Sequence, residues 1–318
     1  MTGYDVIGDV HGCADELEEL LRVLGYRERG GVWRHPDRQA VFVGDLIDRG
    51  PRQVDTVTIA RSMVEAGAGL VAMGNHEFNA IAWATPDERN SGDYLRTHDG
   101  KKGQRNRGQH AAFLEQVGEE SPLHREMVEW FRTLPMRLDL GGLRVAHACW
   151  HEESLAVLPA VGDERPLSVE FLHAAHDRSS AEYQAVETVL KGPEMPVPEA
   201  YLDKDGHPRT NARVRWWDRS ATTMRGLAEI PPNSTTKAGD PYPELADTPY
   251  PEAERFRYDG AVPVVFGHYW RRHPGPVVDA MAACVDLSAV RGGHLAAYRW
   301  EGEPTLDASN LVTVSTTR

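Results

Sequence analysis

Short apolar runs recur along the chain, and each is followed by a polar residue that could bind a metal. Five such runs, each leading into glycine or histidine, cover residues 4–7, 40–43, 69–73, 143–146 and 262–266. Runs of this length, rich in aliphatic and β-branched residues, are typical of buried strands. The pattern therefore predicts several short strands with polar chemistry at their ends.

Helical patterns lie between the first of these strands. Four leucines repeat at the spacing of one apolar helix face: Leu17, Leu20, Leu21 and Leu24. A second helix is expected to open at Pro51, because proline fits the first turn of a helix. The succession of strand, helix and strand predicts βαβ units. The carboxyl ends of such strands meet at one edge of a sheet, where ligands bind in open α/β folds.

The residues at the five strand ends are the expected ligands of two metal ions. Asp9 and His11 follow the first strand two positions apart, so their side chains point to the same side of an extended backbone. Asp45 follows the second strand, and its carboxylate could bridge two cations. An amide and two imidazoles would complete the second ion: Asn75, His147 and His268. One histidine after a strand is usually structural, and it is the conjunction of all six residues that indicates a metal site.

This ligand set also limits the metal. Mixed oxygen and nitrogen ligation without thiolate favours transition metals over Ca²⁺. We expect two Mn²⁺ ions, with Fe, Zn²⁺, Ni²⁺ and Mg²⁺ as alternatives. Two cations about 3.5–4 Å apart can share a water and clamp both oxygens of an in-line displacement. The predicted chemistry is hydrolysis of phosphate esters or anhydrides.

Three further residues suit the same reaction. His76, next to Asn75 in the chain, is the candidate acid for the leaving oxygen. Asp48 is the candidate partner that fixes the His76 tautomer. Arg49 could form bidentate hydrogen bonds with the phosphoryl oxygens.

Three separated motifs resemble the calcineurin-like metallophosphoesterases, in particular their phosphoprotein-phosphatase branch. They are GDVHG at residues 8–12, GDLIDRG at residues 44–50 and GNHE at residues 74–77. His147 and His268 resemble the two later metal histidines of that family. The resemblance implies a four-layer α/β/β/α fold with two facing mixed sheets. It also implies that Asp45 bridges the metals and that His76 is the acid.

One position departs from the wider family. Many members carry a second histidine two residues after the last glycine–histidine pair, where it completes the first metal site. This chain has Trp270 there. The same loss resembles the phosphoprotein-phosphatase branch and the bacterial diadenosine tetraphosphatases. The first site is therefore expected to hold its metal through three protein ligands and water.

The domain organisation follows from where these motifs stand. We expect one domain over residues 1–305, with insertions at about 85–140 and 150–260, and a tail at 306–318. The polar, basic stretch at 85–109 is interpreted as a solvated loop. The alternative is a mobile lid whose positive charge meets phosphate.

The second insertion contains the candidates for a further phosphate-binding residue. The resemblance implies a second arginine between the last two metal histidines, and Arg213 and Arg215 are the candidates, with Arg213 preferred. The alternative is that both arginines flank a buried strand. Trp216 and Trp217 are interpreted as core residues, with stacking on a nucleobase as the alternative.

Composition limits the partners. The chain carries 48 acidic and 35 basic residues, a net charge of -13, which disfavours nucleic acid because phosphate-backbone affinity depends on Lys and Arg. There is no signal-peptide pattern, and no apolar run approaches the roughly 18 residues that span a bilayer. We expect a cytoplasmic protein without a membrane or nucleic-acid partner. Its partner would be a small phosphorylated substrate or a phosphoprotein.

The leading hypothesis is a metal-dependent hydrolase of dinucleoside polyphosphates or related small metabolites. Its support is the resemblance to bacterial diadenosine tetraphosphatase-like proteins in the opening GDVHGCADELEELL and in a C-terminal pattern around Gly292 and Gly293. That pattern predicts a hairpin that closes the second sheet. A protein serine/threonine phosphatase is the main alternative. A catalytically inactive binding module is disfavoured because all six predicted ligands are present, together with His76, Asp48 and Arg49.

Overall fold

The computed structural model describes residues 3–90, 92–162, 165–203, 206–271 and 277–316. The chain divides into two compact units. The first extends to Lys191 and resumes at Val262, and the second is Gly192–Ala261. The predicted insertion at 150–260 is thus divided between the units. Residues 150–191 belong to the first unit, and residues 192–260 belong to the second.

Most of the strands are short, and the helices vary in length. The strands up to Lys191 are β1 (Gly3–Ile7), β2 (Arg27–Arg29), β3 (Val32–Arg34), β4 (Arg38–Phe42), β5 (Gly69–Val71), β6 (Arg137–Asp139) and β7 (Arg144–Ala146). The later strands are β8 (Glu194–Leu202), β9 (Pro208–Val214), β10 (Ala228–Glu229), β11 (Val264–Phe266), β12 (Val277–Asp279), β13 (Ala282–Cys284), β14 (Asp286–Leu287), β15 (His294–Trp300) and β16 (Leu311–Ser315). The α-helices are α1 (Ala14–Leu24), α2 (Gln53–Glu65), α3 (Asn75–Ala84), α4 (Gly100–Val117), α5 (Pro122–Phe131), α6 (Glu152–Val157), α7 (Val169–Ala174), α8 (Ala181–Lys191) and α9 (Met224–Leu227). Short 3₁₀ helices cover Glu252–Glu254, Ala289–Arg291 and Ala308–Asn310.

Two mixed sheets form the centre of the first unit. The larger has the strand order β14-β15-β1-β4-β5, with β16 paired to β15. Within it β1, β4 and β5 are parallel, and β14, β15 and β16 are antiparallel to their neighbours. The smaller sheet has the order β12-β13-β11-β7-β6, with a parallel centre and antiparallel edges. Five of the six parallel strands are those that the apolar runs predicted, and the sixth is β13, which pairs with β11.

The two sheets face each other across one apolar core. Val6 and Val41 of the larger sheet and Val145 and Val265 of the smaller belong to the same buried cluster. Each is fully buried, and burying a side chain of this size stabilises a fold by about 1.5–3 kcal/mol. Helices α1 and α2 pack on strands of the larger sheet, and α6 packs on α8. The predicted α/β class with two facing mixed sheets is confirmed.

Helix α1 follows its predicted apolar face. Its four leucines are buried, and the helix ends at Gly25, whose φ of 96° is the left-handed conformation that favours glycine. Helix α2 begins two residues after Pro51. Both helices therefore follow the sequence pattern closely.

The loop predicted for residues 85–109 is wrong in its second half, where α4 begins at Gly100. The buried positions of this part of α4 are Gly103, Asn106 and His110, so the apolar periodicity that would announce a helix is missing. A Cβ at Gly103 would lie 1.9 Å from the His98 carbonyl oxygen, so the small residue permits close packing. The basic residues near the end of the stretch are exposed: Lys101, Lys102, Arg105 and Arg107.

The C-terminal region departs from prediction in two places. β14 and β15 form the predicted antiparallel pair around Gly292 and Gly293, but they join the larger sheet beside β1 and not the second sheet. Local patterns do not encode this choice, because the partner strand lies almost 300 residues away in sequence. Residues 306–318, predicted as a tail, contain β16 in the same sheet, with 317 and 318 outside the described residues.

The second unit has an antiparallel sheet of order β10-β9-β8 and its own apolar cluster. Members of the cluster include Met195, Ala212, Val214, Leu227 and Leu245. Trp216 and Trp217 are each 1% exposed, so the core interpretation of both tryptophans is confirmed. Within the described part of the chain, no helix is both long and apolar enough to cross a bilayer.

Candidate metal centre

Asp45 lies at the centre of the predicted ligands. Its Oδ2 is 3.6 Å from His11 Nε2 and 3.8 Å from His76 Nε2. On the other side, its Oδ1 is 3.4 Å from His147 Nε2. The Asp45 side chain is 3% exposed. One buried carboxylate thus faces imidazoles through both of its oxygens, as a bridging ligand must.

Two groups of potential ligand atoms share this carboxylate. One is His11, Asp45 and His76, and the other is Asp45, His147 and His268, with the atoms of each group within 4.8 Å of one another. Asn75 Oδ1 lies 3.2 Å from His147 Nε2, next to the second group. Carboxylate, amide and imidazole donors without thiolate fit Mn²⁺, Fe or Zn²⁺. The residues present therefore fit a pair of transition-metal ions.

Asp9 lies beside these groups, although among the described residues it belongs to neither of them. Both of its oxygens are 3.2 Å from the backbone N–H of His268, which donates to them. A Cβ at Gly267 would lie 2.1 Å from Asp9 Oδ1, so only glycine allows this approach. The carboxylate is therefore held at the junction of β1 and β11.

Two of the histidines are oriented by backbone carbonyls. His11 Nδ1 lies 2.8 Å from the oxygen of Ile47, and His147 Nδ1 lies 2.9 Å from the oxygen of Val43. A carbonyl can only accept, so each Nδ1 carries the proton. Each Nε2 is then the nitrogen that faces the site and that a metal ion would use.

The backbone turns sharply where these side chains converge. Seven non-glycine residues have positive φ among the residues described, and five of them belong to the predicted site: His11, Asp45, Asp48, Arg49 and His268. Such conformations cost of order 1–3 kcal/mol each and concentrate at functional sites. The fold maintains this strain because the turns follow strands that the core holds in place.

The predicted acid and its partners are in contact. His76 Nδ1 is 2.5 Å from Asp48 Oδ2. Arg49 lies between two imidazoles, with Nη2 3.1 Å from His76 Nε2 and Nη1 2.7 Å from His11 Nε2. The structure thus brings His76, Asp48 and Arg49 to the same edge as the metal-binding residues.

Electrostatics differ on the two sides of Asp45. Burial, helped by the nearby Arg49 charge, lowers the pKa of His11 to about 3. Burial opposes charge at His147 too, but the Asp45 carboxylate outweighs it and raises the pKa of His147 to about 9. Burial alone would raise the pKa of Asp45, yet His147 and His76 hold it well below its usual range. The carboxylate is therefore kept ionised.

Glu77 is a site residue to which sequence reasoning gave no role, although GNHE contains it. Its fully buried carboxylate accepts hydrogen bonds from the N–H groups of Gly74, Asp45 and Leu46 at 2.8–2.9 Å. Burial, with a smaller contribution from Asp45, raises the pKa of Glu77. Glu77 ties the turn after β4 to the start of α3.

Sequence reasoning also gave no role to Asp286 and His110. Asp286 is 3% exposed and accepts from the N–H of Ser288 at 2.9 Å. Burial first, and the Asp286 charge next, raise the pKa of Asp9. Asp286 follows the apolar run Cys284–Val285 directly, so the strand-end signal could have found it. His110 lies 2.7 Å from Asp48 Oδ1, and no sequence pattern marked it.

Trp270 lies at the rim of the site and is 41% exposed. Two guanidinium groups approach its ring, that of Arg291 at 3.8 Å from the centroid and that of Arg49 at 5.4 Å. These three residues line one small cavity with His11 and Asp286. The position where the family resemblance implies a histidine thus carries an aromatic ring that two arginines approach.

The predicted second arginines are in the other compact unit. Arg215 donates to the Arg225 carbonyl at 2.7 Å and lies 3.7 Å from the Glu229 carboxylate. Arg213 lies in β9, opposite Glu194 and Glu229. Phosphate binding by Arg213 or Arg215 stays a prediction.

Comparison with known proteins adds three findings. The model of the calcineurin-like phosphoesterase family matches residues 4–194. The bis(5'-nucleosyl)-tetraphosphatase PrpE [asymmetrical] of Halalkalibacterium halodurans is 47% identical over 74 residues, 23% of this chain and 30% of that protein. The protein of the same name in Bacillus subtilis is 43% identical over 74 residues, with the same coverage. The chain therefore matches less than a third of the length of either relative.

Two solved structures are also similar. One, provisionally assigned as a diadenosine tetraphosphatase, is 19% identical, covers 99% of this chain and 94% of its own, and has a TM-score of 0.46. The other is a protein serine/threonine phosphatase from Saccharomyces cerevisiae. It is 12% identical, covers 99% of this chain and 79% of its own, and has a TM-score of 0.47.

Proposed function

This chain belongs to the calcineurin-like phosphoesterase family, and on that premise we propose that it hydrolyses phosphoanhydride bonds of dinucleoside polyphosphates or related small metabolites. It is a hydrolase of a family that depends on two metal ions. The observation that carries the proposal is Asp45, a buried carboxylate within 4 Å of imidazole nitrogens through each oxygen. No other described carboxylate belongs to both candidate metal groups.

The ligand roles are part of the proposal. Asp9, His11 and Asp45 would hold the first ion, and Asp45 would share the second ion with three residues on the other side: Asn75, His147 and His268. When bound, the two ions supply a water of lowered pKa and positive charge for the phosphoryl oxygens. We propose Mn²⁺ as the native metal, because the donor set suits it.

The side chains of the chain itself perform the remaining tasks. Arg49 presents two Nη atoms at the site, and these can form a fork with two phosphoryl oxygens. His76 would give a proton from Nε2 to the leaving oxygen, while Asp48 holds the ring through Nδ1. The hydrogen bond between Asp48 and His76 sets which nitrogen faces the reaction.

Two observations favour a phosphoanhydride substrate. The two relatives that are 47% and 43% identical to this chain over 74 residues are named as asymmetrical bis(5'-nucleosyl)-tetraphosphatases. Each match covers 23% of the chain. A polyphosphate also has several anionic groups, and Arg291 adds a second guanidinium to the cavity that Arg49 lines. Arg291 would then contact a phosphate next to the one that reacts.

The test compares diadenosine tetraphosphate with a phosphoserine peptide as substrates of the Mn²⁺-loaded protein. The proposal predicts a higher kcat/KM for the dinucleotide. Faster turnover of the phosphopeptide would contradict the substrate class and leave the phosphoesterase chemistry standing. The cytoplasmic location expected from the sequence stays a prediction.

A further inference from the structure

Asp48 makes two hydrogen bonds to histidines, one through each carboxylate oxygen. Its Oδ2 lies 2.5 Å from Nδ1 of His76, and its Oδ1 lies 2.7 Å from Nδ1 of His110. All three side chains are buried, with His110 and Asp48 each 2% exposed. The three residues come from the turn after β4 and from helices α3 and α4, which are separate in sequence.

The chemistry of the three groups fixes where the protons are. Burial would raise the pKa of Asp48, but the imidazoles, His110 first, hold it well below its usual range. An ionised carboxylate can only accept hydrogen bonds. Both histidines therefore donate from Nδ1, and both oxygens of Asp48 are engaged in hydrogen bonds.

We propose that His110 is a positioning residue for catalysis, which fixes the Asp48 carboxylate in the rotamer that orients the His76 acid. This inference rests on the proposed role of His76 in phosphoester hydrolysis. With one imidazole alone, Asp48 could rotate about its Cα–Cβ and Cβ–Cγ bonds. With a second hydrogen bond from the buried side chain of His110 in α4, that freedom is lost.

The surroundings of His110 support a role that acts through Asp48. Its ring packs near Phe113, with centroids 5.0 Å apart, and near Trp83 at 6.2 Å. No described residue makes a hydrogen bond to its Nε2, so the bond to Asp48 is the polar contact that holds it. Packing alone would not require the Nδ1–H group of His110 to point at Asp48, the residue that holds His76.

The experiment compares two substitutions at this position. His110→Leu removes the donor and keeps an apolar side chain in the buried site. His110→Asn keeps an N–H near the place of Nδ1. For each variant, kcat is measured with Mn²⁺ on p-nitrophenyl phosphate, a good leaving group, and on phenyl phosphate, which needs the acid more.

We expect the leucine variant to lose about tenfold more kcat on phenyl phosphate than on p-nitrophenyl phosphate, in line with losses at residues that orient a functional group. The asparagine variant should recover most of this difference. An equal loss on the two substrates, or no recovery with asparagine, would overturn the proposal. So would a leucine variant with the activity of the original protein.

His124 provides the matched control. It is also a buried helical histidine, 3% exposed, and its ring lies 5.9 Å from that of Phe113. Its Nδ1 accepts from the Glu120 N–H, away from Asp48. His124→Leu should change the two rates by the same factor, which separates a packing defect from loss of orientation.

A second measurement does not depend on turnover. Short hydrogen bonds from Nδ1 to a carboxylate give downfield proton NMR signals, and we expect two that both disappear in Asp48→Asn. His110→Leu should remove one of them and shift the other, which belongs to His76. An unshifted His76 signal would overturn the proposal. If the original protein hydrolyses neither the aryl phosphates nor diadenosine tetraphosphate, the proposed function fails and the NMR result still decides the role of His110.

Discussion

At the scale of single residues, three imidazoles of the site are each held at Nδ1 and turn Nε2 toward the other site residues. His11 and His147 each give Nδ1 to a carbonyl and present Nε2. His76 gives Nδ1 to Asp48 and presents Nε2 toward Arg49. The hydrogen-bond partner of each ring thus fixes which nitrogen faces the site: a carbonyl holds each of the two proposed ligands, and a carboxylate holds the proposed acid.

The acid role of His76 predicts a dependence on the leaving group. His76→Asn should lower kcat by roughly 10²–10⁴-fold on esters with poor leaving groups, because proton transfer to the leaving oxygen is lost. Esters of acidic phenols should be affected much less, since their leaving groups are stable anions. Measuring kcat across a series of aryl phosphates checks this, and a uniform loss across the series would remove His76 from the role.

Arg291 predicts a dependence on the number of phosphates. Arg291→Gln should lower kcat/KM on diadenosine tetraphosphate about tenfold, the size of one lost charged hydrogen bond. Hydrolysis of p-nitrophenyl phosphate should barely change, because this substrate has a single phosphate. Arg178→Gln, at an exposed position between α7 and α8, is the control. An equal effect of Arg291→Gln on both substrates would argue against a second phosphate contact.

At the scale of helices and strands, the site depends on tight turns after parallel strands. Gly74 ends the turn between β5 and α3, and a Cβ there would lie 2.2 Å from Asp45 N and 2.3 Å from Asp45 Oδ1. Both atoms are held by other bonds, among them the bond from Asp45 N to Glu77. The turn therefore has no room for a side chain.

This geometry predicts that Gly74→Ala lowers the free energy of unfolding by roughly 1–3 kcal/mol, because overpacking displaces the Asp45 backbone. Gly108→Ala is the matched control. Gly108 lies in α4 with nothing within 4 Å of an added Cβ, and alanine there should stabilise the helix by up to about 1 kcal/mol. Urea unfolding measures the free energy of unfolding of both variants. Changes of similar size in the same direction would contradict the prediction.

The strand ends were predictable because two simple signals coincide there. A short apolar run followed by Gly-Asp or Gly-Asn marks both the end of a strand and a donor atom, as at Asp45 and Asn75. Helix α4 gives neither signal, because its buried face includes Gly103, Asn106 and His110. Its helical state comes from packing against the rest of the unit, which overrides local pattern. The contact between His110 and Asp48 was therefore out of reach of sequence reasoning.

At the scale of the whole molecule, the sequence predicts the order of the elements better than their long-range partners. The facing sheets follow from the family resemblance and are confirmed. The hairpin of β14 and β15 forms as predicted but pairs with β1, and residues 306–318 contribute β16. Residues 192–261 form a compact unit with a separate apolar cluster. The pairing of β15 with β1 and with β16 depends on the packing of the whole core, so a short segment of sequence does not predict it.

The central claim is a pair of metal ions that share Asp45. Anomalous diffraction from crystals grown with Mn²⁺ tests it most directly, with Asp45→Asn as the comparison. We predict two Mn²⁺ peaks per chain, one on each side of the Asp45 carboxylate, and the loss of both in the variant. A single ion, or two ions retained without Asp45, would contradict the account.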